Sequence, residues 1–126
     1  MPAYDRIAFR PPAPVALVTV RSPATEVSVS NVPVLLDSGA DVSLLPREAI
    51  AGLIQTGQDF PQFELEAFDG TKSFAPAVQL EVHFLGKSFR GQFLVVDGQH
   101  GVLGRNVLNS VSLLFDGPAL VWRESR

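Results

Sequence analysis

The sequence predicts an all-β domain, a small barrel or sandwich carrying one or two short helices. Three observations point there. Short runs rich in valine and phenylalanine alternate apolar with polar residues along most of the 126-residue chain. Turn signals separate those runs at close spacing, with Asp69-Gly70, Gly86-Lys87 and Asp116-Gly117-Pro118 the clearest. Few stretches suit a helix: residues 46–54 and those just after Gly104.

Taken in order, residues 1–14 read as an N-terminal arm, because Pro11, Pro12 and Pro14 fix φ and remove backbone donors. Residues 15–126 then form one domain. Within it, 15–20 and 26–30 alternate around Ser22-Pro23-Ala24, as a hairpin would. Residues 32–36 are apolar almost throughout, the pattern of a strand buried on both faces. For the helix over 46–54, Pro46 suits the first turn, Glu48 the positive end of the dipole, and Gly52 weakens the far end. Residues 63–68 and 71–74 flank Asp69-Gly70 as a hairpin. A second hairpin joins 78–84 to 89–96 around Gly86-Lys87, and a third joins 112–115 to 119–122.

Composition narrows the function. Hydrophobic residues make up 46% of the chain and mean hydropathy is +0.21, so surplus apolar surface is expected at a subunit interface. No window approaches the roughly 18 uninterrupted apolar residues of a membrane span. A net charge of −3, with basic residues scattered singly, argues against nucleic acid. The absence of cysteine excludes disulfides, thiol catalysis and cysteine-bound metal. Met1-Pro2-Ala3-Tyr4-Asp5-Arg6 lacks the pattern of a secretion signal, and the expected location is cytoplasmic.

The most informative segment is Val34-Leu35-Leu36-Asp37-Ser38-Gly39-Ala40-Asp41-Val42. It plants a carboxylate at the end of a buried strand, where desolvation makes charge expensive. Aspartic proteases need such an arrangement, with two carboxylates sharing a proton and activating a water. This chain has one Asp-Ser-Gly, so the second acid must come from elsewhere. Asp97-Gly98 and Asp116-Gly117 also follow apolar residues, but both fit ordinary turns.

Leu35-Leu36-Asp37-Ser38-Gly39-Ala40-Asp41 and Val102-Leu103-Gly104-Arg105-Asn106-Val107-Leu108, in that order around a hairpin, resemble the two signatures of the retropepsins, the retroviral-type aspartic proteases. The resemblance spans about residues 15–108. The further hairpin after Leu108 is more like the family's cellular and bacterial members. It implies a closed barrel acting as a homodimer, with one Asp37 per subunit as the catalytic pair. It implies that Ser38, Gly39, Ala40, Asp41 and Arg105 support the active-site loop, with Ser38 hydroxyls bonding between loops and Asp41 pairing with Arg105. It also implies a flap over a peptide substrate, with Phe68, Asp69, Gly70 and Thr71 on the flap and Val102 and Leu103 in the cleft wall, alongside Val34 and Leu36. No cofactor is needed.

Plainer readings stand beside these. Asp37-Ser38-Gly39 alone is also a strand-to-turn junction with an Asx-type hydrogen bond. His83 and His100 lack metal-ligand spacing, Glu64 and Glu66 read as the solvated side of a hairpin, and Trp122 reads as buried. The runner-up function is a module of the same dimeric fold, catalytically weak or inactive, that binds peptides or partner proteins, and a third is a dimerisation or structural domain within a larger assembly.

Overall fold

A computed structural model describes residues 1–54, 59–67 and 69–125. The first long pairing is the expected hairpin, between β2 (Ala13–Arg21) and β3 (Ser28–Leu36). The short β1 (Tyr4–Asp5) pairs with the start of β2, Tyr4 opposite Pro14. Residues 28–30 and 32–36 prove to be one strand, while 26 and 27 lie in the connection before it. A bulge joins them, since Val18 faces Val32 and Val20 faces Val29, and Asn31 absorbs the extra residue at φ 60°. Asparagine tolerates that left-handed conformation better than most residues.

β3 is not evenly buried on both faces. Val32, Val34 and Leu36 point into the core, while Pro33 and Leu35 are half-buried. The sequence over 46–54 also resolves differently from one helix. β4 (Leu44–Pro46) is followed by α1 (Arg47–Ile50) and a single 3-10 turn (Ala51–Leu53). Pro46 ends the strand and caps the helix at φ −76°, a value its ring imposes.

β5 (Gln62–Glu66) and the start of β6 (Lys72–Phe84) form the hairpin around Asp69-Gly70. β6 is one 13-residue strand that changes partner midway. Its first part pairs with β5, and from Ala77 onward it pairs with β7 (Lys87–Val96). Pro76, which has no N–H to donate, sits at that exchange.

β8 (Gly101–Leu103) lies parallel to β3, and β4 lies parallel to β7. With β2 also paired to β6 through Val20 and Val82, the strands close in the order β2-β3-β8-β4-β7-β6 and back to β2. Closure removes the open sheet edges that promote aggregation. Inside sit Val18, Val20, Val34, Leu80, Val82 and Leu103, each 1% exposed or less. Truncating one such leucine to alanine costs about 2–5 kcal/mol.

α2 (Arg105–Leu108) follows β8, with Gly104 as its N-cap. The third expected hairpin is present as β9 (Leu113–Asp116) and β10 (Val121–Glu124), a separate two-stranded sheet. Trp122 anchors it, buried against Phe84 and donating its indole N–H to the Val15 carbonyl at 3.1 Å. No helix among the described residues is long and apolar enough to cross a membrane.

Candidate active site

The parallel seam between β3 and β8 fixes the position of Asp37. Leu36 faces Leu103 at its end, and one residue on the Asp37 N–H donates to the Leu103 carbonyl at 3.1 Å. The chain then turns tightly: the Gly39 N–H donates to Asp37 Oδ1 at 2.8 Å and the Ala40 N–H to the Asp37 carbonyl at 3.2 Å. The Asx-type turn of the plainer reading is therefore part of the loop. It leaves Asp37 half-buried at the mouth of the barrel.

α2 grips this loop from behind. The Arg105 N–H donates to the Ala40 carbonyl at 2.8 Å, and its guanidinium Nη1 to the Ser38 carbonyl at 2.7 Å. Gly104 makes the approach possible, because a Cβ there would lie 2.3 Å from the Val42 carbonyl oxygen and 2.8 Å from that of Ala40. The Asp41–Arg105 pair expected from the resemblance does not form. The ion pairs among the described residues do not include it, and Arg105 braces the loop through backbone instead. A carbonyl bonded by a guanidinium still gives a charge-assisted hydrogen bond.

Sequence reasoning missed Ser43. Its side chain is buried, its Oγ donates to Asn106 Oδ1 at 2.7 Å, and it accepts the Gly104 N–H at 3.0 Å. One hydroxyl thus ties the end of the active loop to the helix that braces it. The signal was a hydroxyl six positions after Asp37 together with the asparagine after Arg105.

The β5–β6 hairpin, which the resemblance implies to be a flap, stands opposite. The Ala67 N–H donates to Thr71 O at 2.9 Å and the Gly70 N–H to Ala67 O at 2.9 Å, with Gly70 at φ +85°. Asp69 Oδ1 accepts the Thr71 N–H at 2.9 Å. The Thr71 hydroxyl and then its N–H hold the Asp69 carboxyl below the usual carboxylate range. Phe68 lies outside the described residues.

The loop and this hairpin enclose an open cavity of about 690 Å³. Asp37, Gly39, Ala40, Asp41, Glu66, Gly70 and Thr71 line it, while Asp69 is not part of the lining. Nor is the expected cleft wall. Val34, Leu36 and Leu103 face the core and Val102 pairs with Leu44, so the apolar lining comes from Val42, Leu44, Leu65 and Ala67. The other candidate acids are engaged elsewhere: Asp97 pairs with Arg47 at 3.0 Å, and Asp116 Oδ1 accepts the Ala119 N–H at 3.1 Å within its turn.

Among the described residues no group of three or more histidines or acids is placed to hold a metal ion. Glu81 is the most heavily partnered acid, with His83 at 2.7 Å, Arg90 at 3.1 Å and Arg21 at 3.6 Å, on the barrel wall outside the cavity lining. The His83 hydrogen bond, followed by Arg90, holds its carboxyl below the usual range despite partial desolvation.

No family model matches the chain, and no curated protein sequence matches it. Among solved structures, EIAV protease complexed with the inhibitor HBY-793 is similar at a TM-score of 0.56 and 23% sequence identity, over 78% of this chain and 86% of that one. The closed strand ring and this likeness establish that the chain has a retropepsin-like fold.

Proposed function

We propose that the protein is an aspartic endopeptidase that works as a homodimer. The observation that carries this reading is the position of Asp37: at the end of a core strand, held by backbone on both sides, facing a cavity covered by a hairpin. Each subunit brings one such acid, and a two-fold axis through the loops places two together. Carboxylates about 4 Å apart repel by about 4 kcal/mol at an effective dielectric near 20, which favours a pair sharing one proton.

Catalysis then needs no cofactor. The ionised Asp37 takes a proton from water as the water oxygen bonds to the peptide carbonyl carbon. Its protonated twin gives its proton to the carbonyl oxygen, and a gem-diol forms. Collapse of that intermediate breaks the C–N bond, with a proton passing to the leaving nitrogen. Arg105 and Ser43 act as positioning residues, and Ser38 hydroxyls link the two loops. The substrate lies extended beneath the flap and takes backbone hydrogen bonds from it. Apolar side chains beside the cut bond rest on Val42, Leu44 and Leu65, which supply the apolar surface.

The test is cleavage of a peptide library across about pH 3 to 7, with sedimentation velocity to read the assembly. Wild type is expected to cut as a dimer, and Asp37→Asn to remain a folded dimer that cuts nothing. A wild-type dimer that binds peptides and cleaves none across that range overturns the reading in favour of a binding module. Cleavage by a strict monomer overturns the shared dyad.

A further inference from the structure

The half-cleft carries negative charge without a counter-ion, and the reason lies in where two cations are held. Asp41 lines the cavity from the loop and Glu66 from the flap, and its described lining includes no Lys, Arg or His. Arg105, the expected partner of Asp41, is bonded to the Ser38 carbonyl at 2.7 Å. Lys72 faces Glu66 across the β5–β6 ladder, but its Nζ contacts Glu64 Oε1 at 3.2 Å instead. Neither Asp41 nor Glu66 has a salt-bridge partner within 4.0 Å among the described residues.

These acids do not converge as metal ligands would. Between loop and flap lie Val42, Leu44, Leu65 and Ala67, an apolar strip with acids beside it. A lysine or arginine fits that layout, because its alkyl stem covers apolar surface while its head reaches charge or water.

We propose that the cleft selects peptides with Lys or Arg flanking the apolar residues at the cut bond, and that Asp41 and Glu66 read that charge. The inference rests on the endopeptidase reading. Two-fold symmetry repeats the acids on the far side of the cut, so basic residues are favoured on both flanks. Glu66, which the sequence alone marks as solvated, becomes a specificity residue through the cavity it lines.

The test compares matched peptides differing only by Lys or norleucine at each position within a few residues of the cut, using the dimeric protein. The readout is the ratio of kcat/KM for the Lys peptide to that for the norleucine peptide. At one or more flanking positions the wild-type ratio is expected to exceed unity by about three- to fivefold, the range of a partly exposed ion pair. Glu66→Gln and Asp41→Asn are each expected to lower it, Glu66→Lys to invert it, and added salt to shrink it. Cleavage with a ratio near one at every position, or a ratio unmoved by Glu66→Gln and Asp41→Asn, overturns the inference and leaves the endopeptidase reading standing. No cleavage of any peptide overturns both.

Discussion

The Asp37–Ser43 loop and the β5–β6 hairpin face each other across one cavity, yet they are built on opposite principles. The loop from Asp37 to Ser43 is tied to the rest of the barrel at each end: Asp37 to β8, Ser38 and Ala40 to Arg105, and Ser43 to Asn106 and Gly104. The hairpin, the flap of the proposed function, is a two-stranded ribbon whose ladder joins β5 to the first part of β6, with most of its residues exposed. Such a ribbon has low local stability, whereas a loop wedged behind a helix moves only with the core. The contrast teaches a division of labour. Under the proposed function, an acid that pairs with its twin across a two-fold axis needs a rigid mount, and a hairpin that admits a peptide needs a soft one.

Mutations that separate the two regions sharpen this contrast. The largest effect is expected from Asp37→Asn, which removes the proton acceptor and should lower kcat by at least about a thousandfold with no loss of thermal stability. A variant with substantial turnover breaks the mechanism. Next comes Gly104→Ala, whose Cβ would meet the Val42 and Ala40 carbonyls at 2.3 and 2.8 Å. With backbone on the opposing side it should destabilise the fold by about 3 kcal/mol in denaturant titration. Ser43→Ala leaves the Gly104 N–H and Asn106 without their partner, and about 1–3 kcal/mol of stability should go with it, along with part of kcat. Restoration by Ser43→Thr would show that the hydroxyl matters rather than the volume.

On the flap the same class of change should be milder. Gly70→Ala strains a backbone at φ +85° with open space around it, so about 1 kcal/mol of local stability is at stake. Its effect is expected in KM rather than in global unfolding. A global loss as large as that of Gly104→Ala would show that the flap is part of the cooperative core.

The smallest effect concerns acid. Glu81 has a folded pKa held below its ordinary value of 4.5, first by His83 and then by Arg90. A carboxyl with a lowered folded pKa stabilises the protein above the unfolded value and loses that contribution as pH falls through the folded one. The loss therefore falls below about pH 4.5, and Glu81→Gln should flatten that limb of a stability-against-pH curve. An unchanged limb would mean the cross-strand row Arg21–Glu81–Arg90 contributes nothing measurable.

Much of this was legible in the sequence because it depends on local chemistry. Asp69-Gly70, Gly86-Lys87 and Asp116-Gly117 each mark a hairpin, since tight turns need the residues that adopt their dihedrals at low cost. Asp37-Ser38-Gly39 and Gly104-Arg105-Asn106 mark the two segments that the Arg105–Ser38 hydrogen bond joins. The misreadings arose where a residue's neighbour comes from a distant strand. Leu36 and Leu103 look like cleft wall until the β3–β8 register turns both toward the core. The resemblance pairs Arg105 with Asp41, whereas its guanidinium donates to the Ser38 carbonyl at 2.7 Å.

The sequence by itself determined the strand-and-turn alternation, the single acid at a strand end and the glycine-arginine-asparagine brace. The first two follow from side-chain periodicity and backbone stereochemistry within a few residues, and the brace is what the resemblance of its motif implies. Only the tertiary structure decided which apolar side chains face the core, where Arg105 and Lys72 spend their charge, and that Glu66 borders the cleft. Those depend on register and approach distance between strands remote in the chain, and one residue of register moves a side chain to the opposite face.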